Sequence, residues 1–425
     1  MTHIKASAAG AAMLPCSPAK DRFGSDGIPT EGHRLHAPQT PASSYPPLTI
    51  RGRRLLPIVQ GGMGVGVSAH RLAGTVARHG ALGTISSVDL RRLHPDLMRE
   101  TQHCRDGAAI DRANLVALDR EIAKARALAD GHGMVAVNVM RAVTAYADYV
   151  RQACASGAEA IVVGAGLPLD LPDLAADYPG VALIPILSDA RGVQVVLRKW
   201  ERKGRLPDAI VLEHPRYAGG HVGAASVADI DDPRFDFERS IPATLEVFRA
   251  RGLPDGTIPV IPAGGINSPA RVRALFALGA SAVQLGTAFA VTEECDADPA
   301  FKKVLANARP EDLVTFTSVA GLPARAVRTP WLDAYLTHLP KLQAAARRKP
   351  RCTLHFDCLA QCGLRDGIAQ IGQFCIDTQL AAALRGDVKK GLFFRGASAL
   401  PFGAQIRPVR DLIEHLLGGV ALAPG

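Results

Sequence analysis

The sequence predicts an α/β fold: a TIM (β/α)8 barrel followed by an additional C-terminal segment that is helical and carries cysteines. Three observations predict it. Short, nearly uninterrupted apolar runs recur eight times between residues 57 and 285, and such runs suit strands buried on both faces of a parallel sheet. Most are separated by a stretch of helical periodicity. Their C-terminal ends carry glycines and small polar residues, where a barrel builds its ligand site. A doubly wound sheet is the competing architecture. Gly62-Met63-Gly64-Val65-Gly66 superficially fits a dinucleotide fingerprint, but it departs from the glycine spacing. No acidic residue ends the next run, and Asp89 lies too far along.

The expected strands cover 57–60, 82–85, 134–139, 160–163, 181–187, 209–212, 258–263 and 282–285. Helices are expected over 69–79, 144–156, 192–203 and 243–251. Another follows Asn267-Ser268-Pro269, an N-cap with proline in the first turn. Past residue 290 the regularity fades. Residues 293–350 read as helical and loop-like, with 321–328 as a polar turn, and helical spacing returns over 378–385 and 409–417. The expected organisation is therefore a disordered extension over 1–47, rich in Ala, Ser, Pro and Gly, a barrel over 48–292, and a helical extension over 293–425 packed on the barrel as a lid.

The 425 residues carry a formal net charge of +9, 48% hydrophobic residues and only 5% aromatics. The basic residues are scattered and not interleaved with aromatics, which argues against a nucleic-acid partner. No apolar stretch suits a membrane span and none resembles a secretory signal. The eight cysteines therefore read as thiols in a cytoplasmic protein.

The site residues follow from the strand ends. Gly61-Gly62-Met63, Asn138, Gly164-Ala165-Gly166, Ser188, Gly219-Gly220-His221, Gly264-Gly265 and Gln284-Leu285-Gly286-Thr287 would line one mouth. Loops after strands 7 and 8 of a barrel often hold a phosphate on backbone N–H groups. Gly264-Gly265 and Gly286-Thr287 occupy those places, and Thr287 adds a hydroxyl donor. Glycines let a backbone approach a ligand closely, and His221 among them has the chemistry to handle a proton near neutral pH.

In this arrangement the chain resembles the nitronate monooxygenases, formerly called 2-nitropropane dioxygenases. The matching motifs run in order: Pro57-Ile58-Val59-Gln60-Gly61-Gly62-Met63-Gly64, Val137-Asn138, Ala218-Gly219-Gly220-His221-Val222-Gly223, Ile261-Pro262-Ala263-Gly264-Gly265-Ile266 and Gln284-Leu285-Gly286-Thr287. The resemblance covers about residues 55–330 and implies a barrel binding FMN without a covalent bond. It further implies that Gly62 and Met63 pass the flavin ring, Asn138 hydrogen-bonds it, Gly219, Gly220, Gly264 and Gly265 approach it, and Gln284, Leu285, Gly286 and Thr287 hold the phosphate. His221 would be the catalytic residue. The implied reaction is oxidation of alkyl nitronates, or nitroalkanes, by O2 to a carbonyl compound and nitrite. Flavin enoyl reductases share the Gly-Gly-His loop, so an NAD(P)H-dependent reduction of quinones or enoyl thioesters is the alternative. Family members carry Gln where this chain has His214, and a small or acidic residue where Tyr217 stands. His214 is expected to hydrogen-bond the flavin, and Pro215-Arg216-Tyr217 to reshape the substrate side.

Cys352, Cys358, Cys362 and Cys375 crowd the C-terminal quarter. Only the Cys358/Cys362 separation fits common metal-ligand spacing, and no iron–sulfur pattern matches. The cluster leaves three readings open: a bound metal, packed or redox-active thiols, and a metal-linked scaffold without catalysis.

Overall fold

The computed structural model describes residues 43–349, 352 and 354–418, so the expected N-terminal extension lies outside the described residues up to residue 42. The strands, in chain order, are β1 (Leu48–Ile50), β2 (Arg53–Leu55), β3 (Ile58–Gln60), β4 (Leu82–Ser86), β5 (Met134–Met140), β6 (Ala160–Gly164), β7 (Ala182–Leu187), β8 (Ile210–Glu213), β9 (Gly220–His221), β10 (Val260–Ala263), β11 (Val283–Leu285), β12 (Leu313–Thr317) and β13 (Pro323–Val327). Eight of them close a parallel barrel in the order β3-β4-β5-β6-β7-β8-β10-β11. The ring is completed by β11 on β3, with Val283 opposite Ile58. All eight expected apolar runs are barrel strands.

Alternation along each strand sorts the side chains into two cores. Ile210 and Leu212 of β8 face outward with Val135, Val137, Ile161 and Val283, into the layer between barrel and helices. Ala209 and Val211 face inward with Val59, Ala136, Val162, Ile184 and Ile261. Several inward positions are alanine, as the narrow interior requires. The β1–β2 hairpin sends Leu48, Ile50 and Leu55 into that interior cluster and closes the N-terminal end of the barrel.

The outer helices His70–Arg78, Gly107–Ala129, Tyr146–Ala155, Ala190–Glu201, Phe237–Arg249 and Pro269–Ala277 flank the barrel strands. Their starts follow local chemistry. Asp189 accepts from the Gly192 N–H at 2.9 Å. Ser268 accepts from the Arg271 N–H at 3.3 Å, with Pro269 as first helical residue. The helix at His70 has no cap of its own. Asp296 supplies one from 224–227 residues downstream, accepting from the N–H groups of Ala69, Arg71 and Leu72.

Beyond the barrel the polar turn expected over 321–328 is corrected. Pro323–Val327 is a fully buried strand, β13, paired antiparallel with β12. It also pairs with β9, with Ala324 opposite His221. The run looks like a turn because it holds Pro323 and Arg325, yet its alternate alanines pack where larger side chains have no room. Helices Pro299–Asn307, Pro330–Ala344, Ile376–Leu384 and Val409–Leu417 complete the extension. The last buries Val409, Leu412, Ile413, Leu416 and Leu417.

Candidate active site

Each barrel strand ends on its inward row in a residue that lines one cavity. These are Gly61 after β3, Ser86 on β4, Asn138 on β5, Gly164 on β6, Ile186 on β7, Glu213 on β8, Ala263 on β10 and Gln284 on β11. The cavity has a volume of about 310 Å³. Residues from the C-terminal extension, among them Phe356, Leu359, Ile376, Leu380 and Phe394, form its outer wall. Of the residues expected to form the site, Gly62, Met63, Asn138, Gly219, Gly220, His221, Gly264, Gly265, Gln284, Leu285, Gly286 and Thr287 all line it.

His214 does not. Its ring is buried outside the barrel, against Phe237 at 5.1 Å and Tyr217 at 4.7 Å. Its Nε2 lies 3.3 Å from Asp236, and its Nδ1 accepts from the Arg216 N–H at 3.3 Å. The structure therefore does not bring His214 to the cavity. The reason is strand parity: in β8 the inward row is Ala209, Val211, Glu213, so residue 214 turns to the helix layer. Sequence reasoning missed Glu213, although that alternation was there to find it.

His221 sits on β9, held against the extension by β13. Its Nε2 lies 2.9 Å from the Ser318 hydroxyl. Ser318 Oγ also accepts from the Ala320 N–H at 3.2 Å, so the hydroxyl hydrogen is available to His221 Nε2. Burial pushes the His221 pKa down to about 4, so the ring is neutral at physiological pH. Burial pushes Glu213 the other way, up to about 7.

The loop before His221 is tied down by Arg325 of β13, whose guanidinium donates to the carbonyls of Ala218 at 2.6 Å and Pro215 at 3.2 Å. Gly219 is glycine for a reason other than ligand approach: a Cβ there would lie 2.5 Å from the backbone of Arg395 and Gly396. At Gly62 a Cβ would fall 2.3 Å from Asn138 Cβ, so this glycine and Asn138 share one crowded corner of the cavity floor.

At the far end, Gly264, Gly265, Gly286 and Thr287 form a cradle under residues 396–400. The N–H groups of Gly265, Gly286 and Thr287 make no turn or loop backbone hydrogen bond among the described residues. Thr287 Oγ1 accepts from the Gly396 N–H at 2.9 Å, and Asn267 Nδ2 donates to the Ala399 carbonyl at 3.2 Å. Gly396 and Ser398 also line the cavity. No sequence signal pointed to them, because only the fold carries the segment back over the barrel.

Among the described residues no group of three or more His, Cys, Asp or Glu is placed to hold a metal ion. Cys352, Cys358, Cys362 and Cys375 are not gathered into such a group. All four are free thiols. Cys362 Sγ accepts from the Arg365 N–H at 3.5 Å and Cys375 Sγ from the Thr378 hydroxyl at 3.1 Å. Burial pushes the Cys358, Cys362 and Cys375 thiols above their usual range. Thiols do not extend to the whole chain, because Cys104 is disulfide-bonded.

Known proteins fit this geometry. The family model for nitronate monooxygenase matches residues 53–419. The chain is 33% identical over 136 residues to the nitronate monooxygenase of Pseudomonas aeruginosa, covering 32% of this chain and 36% of that protein. It is 30% identical over 126 residues to a probable nitronate monooxygenase of Bacillus subtilis, covering 30% of this chain and 33% of that protein. These alignments thus span about a third of those relatives' length. FabK from Thermotoga maritima superposes with a TM-score of 0.56 at 24% identity, covering 85% of this chain and 91% of its own. A nitroalkane oxidase from Streptomyces ansochromogenes gives 0.57 at 21%, covering 85% and 94%. At such identities these two superpositions speak for the fold. The family model spans the barrel and nearly all of the extension, and the chain belongs to the nitronate monooxygenase family.

Proposed function

We propose that the chain is a flavin-dependent oxidoreductase that uses FMN and O2 to convert alkyl nitronates to carbonyl compounds and nitrite. One observation carries this reading: a neutral, half-buried histidine stands in a glycine-rich cavity to which every barrel strand contributes.

The residues suit the cofactor. The cradle of Gly264, Gly265, Gly286 and Thr287 offers backbone N–H donors for a phosphate, those of Gly265, Gly286 and Thr287 free of turn and loop bonds. The carboxamides of Asn138 and Gln284, on the cavity floor, suit the polar edge of an isoalloxazine. Gly62 and Met63 offer backbone at the level of the ring. When bound, the flavin supplies the redox chemistry, accepting electrons from the substrate and passing them to O2.

The chain's own residues do the rest. His221 stays neutral because burial disfavours its charge. Held by Ser318 through Nε2, it presents Nδ1–H as a hydrogen-bond donor to a nitro oxygen. The outer wall, with Phe356, Leu359 and Ile376, excludes water and accommodates an alkyl group.

Purified protein should be yellow and should release nitrite from an alkyl nitronate with O2 uptake. His221→Ala should lower turnover about 10²–10⁴-fold with flavin retained, the usual worth of a positioned proton-handling group. Undiminished turnover in that variant removes His221 from the reaction. A wild-type flavin reduced by NAD(P)H and not by nitronate would favour the reductase alternative.

A further inference from the structure

Seven of the eight barrel strands end, on the inward row, in a residue that cannot ionise. The eighth, β8, ends in Glu213, and its carboxyl lines the same cavity as His221. The β8–β10 register sets Ala263 beside it. Its Oε2 lies under the loop that carries His221, 3.3 Å from the position a Cβ on Gly223 would occupy. Ser188 Oγ crowds the same position at 2.6 Å and donates to the Gly223 carbonyl at 3.0 Å. Gly223, at φ +75°, thus leaves the carboxyl clear. No ion pair or hydrogen bond engages Glu213 among the described residues. Arg234 pairs with Asp189 at 3.7 Å, and Arg216 with Asp236 at 3.1 Å and with Asp231 at 2.9 Å. The other carboxyls lining the cavity stand off the strands, Asp89 and Asp111 between β4 and β5, and Asp357 and Asp377 on the extension.

A half-buried carboxyl with no partner, set in the wall of a ligand cavity, is placed for proton transfer. We propose that Glu213 is a catalytic residue, the general base that takes the α-proton from a neutral nitroalkane bound in the cavity. In that step the substrate C–H bond breaks and a Glu213 O–H bond forms. The C–H electron pair moves into the new C=N bond, and the negative charge comes to rest on the nitro oxygens. The products are the nitronate and a neutral carboxylic acid, which returns its proton to water before the next cycle. His221, neutral, donates to the nitro oxygen that gains charge. A carboxylate can only accept, whereas a neutral imidazole has an N–H to donate, and both groups line the one cavity.

The proposal rests on nitronate oxidation as the chain's reaction, and the test separates the two. Oxidation of a neutral nitroalkane and of its preformed nitronate is measured side by side in holoenzyme. Wild type is expected to use both. Glu213→Gln is expected to lower the nitroalkane-to-nitronate turnover ratio by about a hundredfold, with flavin content monitored by absorbance. Wild-type kcat/KM for the nitroalkane is expected to rise through an ionisation near pH 7, a readout that needs no variant. An unchanged ratio in Glu213→Gln overturns the assignment, as does a nitroalkane profile flat between pH 6 and 8. Wild type that oxidises the nitronate alone overturns it while leaving the proposed function intact. Wild type that oxidises neither overturns both.

Discussion

His221 owes its neutrality to burial, with no charged neighbour contributing, and this has a measurable signature in stability. The ring's pKa falls from 6.5 to about 4 on folding, so the unfolded chain binds the proton first as pH drops. Stability is therefore lost as pH falls from about 6.5 to about 4, and His221→Asn should remove that part of the loss. Melting temperatures of both proteins across this range check it: the wild type should lose ground to the variant, and parallel curves would contradict the burial. Ser318 is a positioning residue, because it acts through His221 Nε2. Ser318→Ala removes one hydrogen bond of about 1–1.5 kcal/mol and should lower nitronate turnover about tenfold at unchanged flavin content. A turnover equal to wild type would mean that the tautomer is set elsewhere.

At the scale of elements, the barrel was legible because its strands are apolar on both faces and end in glycines, which leaves continuous runs in the sequence. The site residues on those ends were legible for the same reason. The β12–β13 hairpin was not, since Pro-Ala-Arg-Ala-Val has a single β-branched residue, Val327, and its pairing to β9 is a long-range contact. Its Arg325 nevertheless holds the loop before His221 by two carbonyls. Arg325→Ala should cost about 2–3 kcal/mol, the worth of charge-assisted bonds in a buried place, and should lower turnover as well. Denaturant unfolding and nitrite release measure the two effects, and a stable, fully active variant would contradict the role. Glu213 was overlooked and His214 favoured because the eye follows the histidine, whereas alternation from Ala209 and Val211 points to residue 213.

Across the whole molecule, the extension is joined to the barrel by charge as well as by apolar contact. Arg92, at the mouth of the barrel, pairs with Asp89 and with Asp377 at the start of helix Ile376–Leu384. Both carboxyls are buried, with side-chain exposures of 2% and 4%; removing Arg92 leaves Asp89 with Arg91 at 2.8 Å but takes the cation from Asp377. Burial opposes the charge on Asp89, but Arg92 and Arg91 hold its carboxyl below the usual range, while burial pushes Asp377 up. Arg92→Ala should cost about 3–5 kcal/mol, as breaking a buried pair usually does. Limited proteolysis should then cut the 350–400 region faster, and an unchanged cleavage pattern would show that apolar packing alone holds the extension. The same segment walls the cavity through Ile376 and Leu380, so its docking and the shape of the site belong together.

The most direct measurement is anaerobic mixing of the purified protein with an alkyl nitronate while the flavin absorbance is followed. Rapid bleaching in the wild type, slowed at least a hundredfold in His221→Ala, is the expected result. A colourless protein that takes up no FMN, or a flavin that NAD(P)H bleaches and nitronate leaves untouched, would contradict nitronate oxidation at this site.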